Sequence, residues 1–137
     1  MELRLINNEE KYYDFIRILR SHKDNISGFL EQVEITLEQQ KQYMEKYKNN
    51  YYICIDDSET PLGWIGQVDE DIRLCTDPNH KGKGVGTFML NELHKLHPNA
   101  HAKVLLDNIS SNTVFTKCGF ELYKEDKNFK YYRKNGI

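Results

Sequence analysis

One stretch constrains the fold of this chain more than any other. Across residues 71–96 the hydrophobic pattern changes from that of a strand to that of a helix, and a run of alternating glycines marks the change. Asp71 to Thr76 places Ile72, Leu74 and Thr76 on one face and Arg73 and Cys75 on the other. Asp77-Pro78 ends that strand. Val85, Met89, Leu93 and Leu96 then recur at helical spacing until Pro98 stops the helix. Between them lies Lys81-Gly82-Lys83-Gly84-Val85-Gly86. A strand that enters a glycine loop and leaves it as a helix is a general anion-binding device. The first N–H groups of the helix lack internal acceptors, and the helix dipole favours negative charge there. Glycine lets the backbone approach a ligand and adopt positive φ, and Lys81 and Lys83 add charge. Such a loop suits a phosphate or pyrophosphate; taken alone, it is equally well a surface turn.

Two familiar nucleotide loops do not fit. A P-loop needs GxxxxGK followed by Ser or Thr, and a dinucleotide fold wants GxGxxG after the first strand of a parallel unit. Gly82, Gly84 and Gly86 have GxGxG spacing and follow a run of hairpins. Upstream, Glu2 to Ile6 reads as a strand. Tyr12, Phe15, Ile16 and Leu19 set a helix near residues 9–20. Arg20 to Gln32 is irregular. Thr36-Leu37-Glu38-Gln39 has the form of a capping box, opening a helix with Leu37, Tyr43, Met44 and Tyr47 on its apolar side. Tyr51 to Ile55 and Leu62 to Val68 read as hairpin strands around a turn at Asp56 to Pro61, and Asp69-Glu70 is a second tight turn. Downstream, Lys103 to Leu106 is a strand and Ser111 to Lys117 a short helix ended by Gly119. Leu122-Tyr123 and Phe129 to Arg133 close a hairpin. The order is β-α-α-β-β-β-α-β-α-β-β, an α+β fold with a mixed central sheet flanked by helices.

The 137 residues suit one domain spanning 1–137, and 39% hydrophobic against 29% charged residues reads as globular. A net charge of -2 argues against a broad nucleic-acid surface. Cys54, Cys75 and Cys118 have neither the even count of a disulfide framework nor a CxxC metal spacing. Reduced thiols in a cytoplasmic protein without a metal are expected. No apolar run follows Met1, and no apolar run is long enough to span a bilayer, so neither a leader nor a membrane partner is expected.

Two motifs in order carry a family resemblance. Leu74-Cys75-Thr76-Asp77-Pro78-Asn79-His80-Lys81-Gly82-Lys83-Gly84-Val85-Gly86 resembles the central acetyl-CoA motif of the GNAT superfamily of N-acetyltransferases. Lys81 stands where Arg or Gln is usual, while Gly84 and Gly86 match. Asn108-Ile109-Ser110-Ser111, Phe115 and Lys117-Cys118-Gly119-Phe120 resemble that family's second segment. The element order is similar over the full chain. The resemblance implies direct transfer of acetyl from acetyl-CoA to a primary amine. It implies that the amides of Lys83, Gly84, Val85, Gly86 and Thr87, with Lys81 and Gly82 completing the loop, cradle the CoA pyrophosphate. It also implies a splayed strand at Leu74, Cys75 and Thr76 that pairs with the pantetheine arm, Asn108 reaching that arm, and Phe115 beside the sulfur.

Phe115 departs from the pattern. Many members of the superfamily carry Tyr there, whose phenol protonates the leaving thiolate; Phe has no hydroxyl. A thiol of pKa about 8.5 is still a tolerable leaving group near neutral pH, and Ser110, Ser111 or water are substitutes. Phe115→Tyr is therefore expected to keep or raise activity. The general base is sought among Asp69, Glu70 and Asp71, with Glu70 and Asp71 nearest the acetyl-binding strand; each is also readable as part of a solvated acidic turn. Cys75 lacks the partners of a ping-pong nucleophile, and His80 reads as a loop residue.

The acceptor side is expected from Ser21 to Gln32, the hairpin around Trp64 and the residues after Phe120. His22, Phe29 and Trp64 are candidate acceptor contacts, the aromatics by stacking; core packing is their simpler role. Leu19 to Asn25 resembles the inter-helix stretch of nucleotide-amino-sugar and ribosomal-protein acetyltransferases, which favours a nucleotide-linked amino sugar. A polyamine, an antibiotic and a protein N-terminus stay open, as does a homodimer. The competing readings are a non-catalytic acyl-CoA-binding module, which Phe115 permits, and an unrelated interaction protein with a chance glycine loop.

Overall fold

The computed structural model describes residues 2–21, 36–80 and 82–134. Strand β1 (Arg4–Asn7) leads through a single 3-10 turn into helix α1 (Tyr13–Ser21), and α2 (Leu37–Tyr47) follows. Three strands come next: β2 (Tyr51–Ile55), β3 (Pro61–Val68) and β4 (Asp71–Thr76). Helix α3 (Val85–Leu96), β5 (His101–Leu105), α4 (Ile109–Lys117), β6 (Glu121–Glu125) and β7 (Phe129–Arg133) complete the chain. The seven strands form one sheet in the order β1-β2-β3-β4-β5-β7-β6. Every neighbouring pair is antiparallel except β4 and β5. This is the expected element order in an α+β fold.

Local chemistry explains the elements. Thr36 caps α2 as expected: its hydroxyl accepts the Gln39 N–H, and the Gln39 side chain accepts the Thr36 N–H at 3.0 Å. The hairpin between β3 and β4 turns on Asp69 and Glu70, both left-handed at φ 54° and 68°. That is the turn whose twist matches paired strands. Pro61 opens β3 instead of closing the preceding turn. Opposite Cys54 and Ile55 the register skips Leu62, and this bulge turns Leu62 onto the face that Gly63 and Ile65 use.

The sheet separates two cores. On one face α1 and α2 pack Ile16, Leu19 and Met44 against Ile53, Trp64 and Cys75. On the other, α3 and α4 pack Met89, Leu90, Leu93 and Phe115 against Ile65, Ile72, Val104 and Tyr132. Leu96, expected on the apolar stripe of α3, is 54% exposed; Leu90 takes its place in the core. Leu96 is the last residue of α3, which ends at the His97 C-cap. Among the described residues no helix is long and apolar enough to cross a membrane, and no three His, Cys, Asp or Glu gather as metal ligands.

Candidate active site

The site begins as a fault in the sheet. Strands β4 and β5 run parallel but pair at a single position, Asp71 opposite His101, closed by the His101 N–H donating to the Glu70 carbonyl at 2.8 Å. Beyond that point they diverge. The end of β4 stays with β3, through Gly63 opposite Thr76 and the Asp77 N–H on the Leu62 carbonyl at 2.8 Å. The end of β5 stays with β7, through Leu105 opposite Phe129. A slot opens between them. Backbone groups alternate sides along a strand, and the odd-numbered residue Asp77 bonds toward β3. The N–H and C=O groups of Ile72, Leu74 and Thr76 therefore face the slot. Those of Leu74 have no strand partner across it, which suits an extended, amide-bearing ligand.

The start of α3 sits at the wide end of this slot. Gly82 and Gly84 are both left-handed at φ 82°, and a Cβ on either would meet nothing within 4 Å. The first internal bond of the helix runs from the Phe88 N–H to the Gly84 carbonyl at 3.0 Å. The N–H groups of Val85, Gly86 and Thr87 thus lack helical acceptors, and the N-cap position, Gly84, offers no side-chain cap. Val85, 1% exposed, anchors the helix in the core. Gly86 has a different task from its neighbours. A Cβ there would make ordinary contact with Val114 at 3.4 Å and the Thr76 hydroxyl at 3.8 Å, so this glycine faces α4 and the end of β4 instead of open space. Lys83 is exposed beside the cradle; Lys81 lies outside the described residues. Open space, left-handed glycines and N–H groups without helical acceptors together fit a pyrophosphate.

The second motif builds the other wall. Asn108 caps α4, its Oδ1 accepting the Ser111 N–H at 3.2 Å. Phe115 is 2% exposed, stacked on Tyr132 at 5.5 Å and edge-on to Phe120 at 5.2 Å. The Tyr132 hydroxyl donates to Asn112 Oδ1 at 2.7 Å, and the Asn112 amide donates to the carbonyls of Leu105 and Asn108. This network ties the end of β5 to the start of α4.

On the α1/α2 face the picture differs from the sequence expectation. Trp64, read as either a ligand-stacking ring or a core residue, takes the core role: it is 2% exposed and edge-on to Tyr51 at 5.6 Å, and strand alternation points it inward. Cys75 is 4% exposed, and its thiol donates to the Leu19 carbonyl at 3.6 Å. Glu70 sits exposed in the hairpin turn, while Asp71 is half-buried at the vertex of the slot. Burial pushes the Asp71 carboxyl above the usual carboxylate range, and the charges of Arg73, His101 and Lys103 oppose that rise. His22 and Phe29 lie outside the described residues. Sequence reasoning missed Arg73, Tyr43 and Tyr51. The Arg73 Nη1 donates to the Tyr43 hydroxyl at 3.0 Å, and that hydroxyl lies 2.6 Å from the Tyr51 hydroxyl. Burial and the neighbouring Tyr43 raise the Tyr51 phenol above its ordinary value. The only sequence signal was the place of Arg73 between Asp71 and Cys75 on one strand face.

A family model for the acetyltransferase (GNAT) domain matches residues 48–122, the span that holds the slot, the glycine cradle and α4. The chain belongs to the GNAT family. It is therefore an acyltransferase, and the donor of this family is acetyl-CoA. No curated protein sequence matches the chain. Among solved structures it resembles the spermidine N-acetyltransferase of Vibrio cholerae, solved with CoA and spermine. The two share 18% identity at a TM-score of 0.77, over 95% of this chain and 93% of that one. A GNAT-family acetyltransferase from Bacillus anthracis gives a TM-score of 0.81 at 17% identity, covering 96% and 93%. A structure described as a putative phosphinothricin N-acetyltransferase gives 0.79 at 17% identity, covering 99% of both chains. At such identities the likeness establishes the shared GNAT fold.

Proposed function

We propose that this GNAT protein transfers the acetyl group of acetyl-CoA directly to a primary amine of a small molecule. The observation that carries the reading is the continuity of the β4–β5 slot with the glycine cradle at the start of α3. The amides of Gly84 to Thr87 would hold the donor's pyrophosphate, and Leu74 would pair with its pantetheine arm. A Leu74 N–H facing the slot would polarise the thioester carbonyl. The donor cradle belongs to the α3/α4 side of the sheet, so an acceptor reaches the reacting carbon from the α1/α2 side.

On that side Asp71 is the base we favour. It stands at the slot's vertex, and burial raises its affinity for a proton towards the range where general bases work. Its role is to take the proton from the attacking ammonium. Glu70 is less well placed, being exposed in the turn. Ser111 keeps its hydroxyl near the α4 cap, while its N–H already serves Asn108. The amino-sugar preference rests on residues 19–25, of which 22–25 lie outside the described residues. With Trp64 in the core, Phe29 is left as the candidate stacking ring, and it lies outside the described residues. Spermidine and phosphinothricin name two of the structural neighbours, so the acceptor panel should span amino sugars, polyamines and amino acids.

Thiol release from acetyl-CoA against that panel tests the reading. Release that depends on one amine supports transfer, whereas CoA binding without release on any amine favours the binding module. Asp71→Asn should lower kcat/KM by about 100-fold or more and abolish its rise with pH. The Asp71 proton is held above the ordinary carboxylate range, so the wild-type limb should climb above that range as the carboxylate forms. An unchanged pH profile in Asp71→Asn would move the base elsewhere.

A further inference from the structure

Three elements converge to hold one arginine at the slot. Arg73 is the first residue past the last β4–β5 pair whose side chain lies on the α1/α2 face. Its partner on β3 is Gly66. A Cβ at Gly66 would lie 2.5 Å from the Tyr51 ring and 2.6 Å from the Asn50 carbonyl, so this glycine leaves the space that the ring fills. The Tyr51 side chain, from β2 and 3% exposed, then meets the Tyr43 hydroxyl from α2 at 2.6 Å. Tyr43 in turn accepts from Arg73 Nη1 at 3.0 Å. Placing a buried phenol, Tyr51, and a half-buried one, Tyr43, beside one guanidinium is costly unless the polar groups satisfy one another. Here they do, and the fork is held in one orientation.

Most of that fork is left over. A guanidinium carries five N–H donors, and among the described residues the two phenols take at most two of them, Tyr43 from Nη1 at 3.0 Å and Tyr51 beside it. Asp71 Oδ2 is 3.9 Å from Nε, too far for a hydrogen bond. The Arg73 side chain is 42% exposed and that of Asp71 32% exposed. A cation and an anion thus stand side by side on the acceptor face of the slot, within ion-pair range but with no hydrogen bond between them. A pre-oriented fork with open donors takes a carboxylate or phosphate by two parallel bonds.

We infer that Arg73 is a specificity-determining residue that binds an anionic group of the acceptor, a carboxylate or phosphate a few bonds from the amine, while the ammonium meets Asp71. The acceptor is then a zwitterionic amine. This inference rests on the acetyl-transfer reading above and narrows its substrate class. Tyr43 and Tyr51 are positioning residues: they act on the acceptor through Arg73.

The test uses matched acceptors with the full-length protein: amino acids against their amides, and phosphoethanolamine against ethanolamine. The first pair isolates the carboxylate and the second the phosphate. The wild-type protein should favour one anionic member by tenfold or more in kcat/KM. Arg73→Gln should bring that ratio close to one, chiefly by raising KM for the anionic acceptor, with KM for acetyl-CoA unchanged. Arg73→Lys, a point charge without the fork, should restore part of the ratio. Tyr43→Phe keeps the ring and should lower the ratio severalfold, which covers the case in which Arg73→Gln does not fold. A ratio near one in the wild type, or one that Arg73→Gln leaves unchanged, overturns the anion site and leaves the acetyltransferase standing. Transfer confined to polyamines or neutral amines does the same. No transfer to any amine, with CoA still bound by calorimetry, overturns both.

Discussion

Single residues at this site divide by what a side chain would meet. Gly84 is left-handed and faces open space. Gly84→Glu should therefore fold, at a backbone cost of roughly 1–2 kcal/mol, while placing a carboxylate where the pyrophosphate is expected. Calorimetry should show loss of CoA binding; a folded variant with wild-type affinity would remove the cradle from the site. Gly86→Glu is a different experiment, because its Cβ would already touch Val114 at 3.4 Å whereas that of Gly84 faces open space. Phe115 also changes meaning once packed. From sequence, adding a hydroxyl there looks harmless or helpful. In a site 2% exposed between Phe120 and Tyr132, an unsatisfied hydroxyl costs roughly 1–3 kcal/mol. Phe115→Tyr should lower the urea midpoint without raising kcat. A higher kcat at unchanged stability would instead place that hydroxyl at the sulfur.

At the scale of elements, the slot depends on how tightly β4 is held to β3. Gly63 marks the closest approach: a Cβ there would lie 2.8 Å from the Cys75 carbonyl and 3.1 Å from Met89 Cε. Gly63→Ala should cost roughly 1–3 kcal/mol by overpacking. It should also weaken CoA binding, because the displaced backbone belongs to β4. Denaturant unfolding and calorimetry read the two effects separately, and a loss of stability with unchanged CoA affinity would mean the slot tolerates the shift. Most elements were legible in the sequence. β2 and β4 begin and end where their alternation does, and the α2 cap was visible in Thr36 and Gln39. The pattern misassigned Leu96 and was silent on which face Leu62 takes. Leu62 faces the α3 side because of a register skip, and Leu96 leaves the core because the helix ends there. Neither effect is local to the residue concerned.

For the whole molecule, a ligand that binds the native state alone stabilises it by mass action. CoA at a hundred times its Kd should add about 2.7 kcal/mol, or roughly 8 °C in Tm for a chain of this size. Pantetheine, which lacks the pyrophosphate, should give a clearly smaller shift at equal concentration. Equal shifts would mean that the glycine cradle contributes little. The element order, the family and the cradle were written in local pattern: hydrophobic period, capping residues, and glycines where φ is positive. These depend on neighbours in the chain. The slot entered only through the family resemblance, Trp64 was left between stacking and packing, and the burial of Phe115 and the seat of Arg73 were not legible there. Each is set by residues distant in sequence, Asp71 against His101 or Gly66 making room for Tyr51, and only packing brings those together.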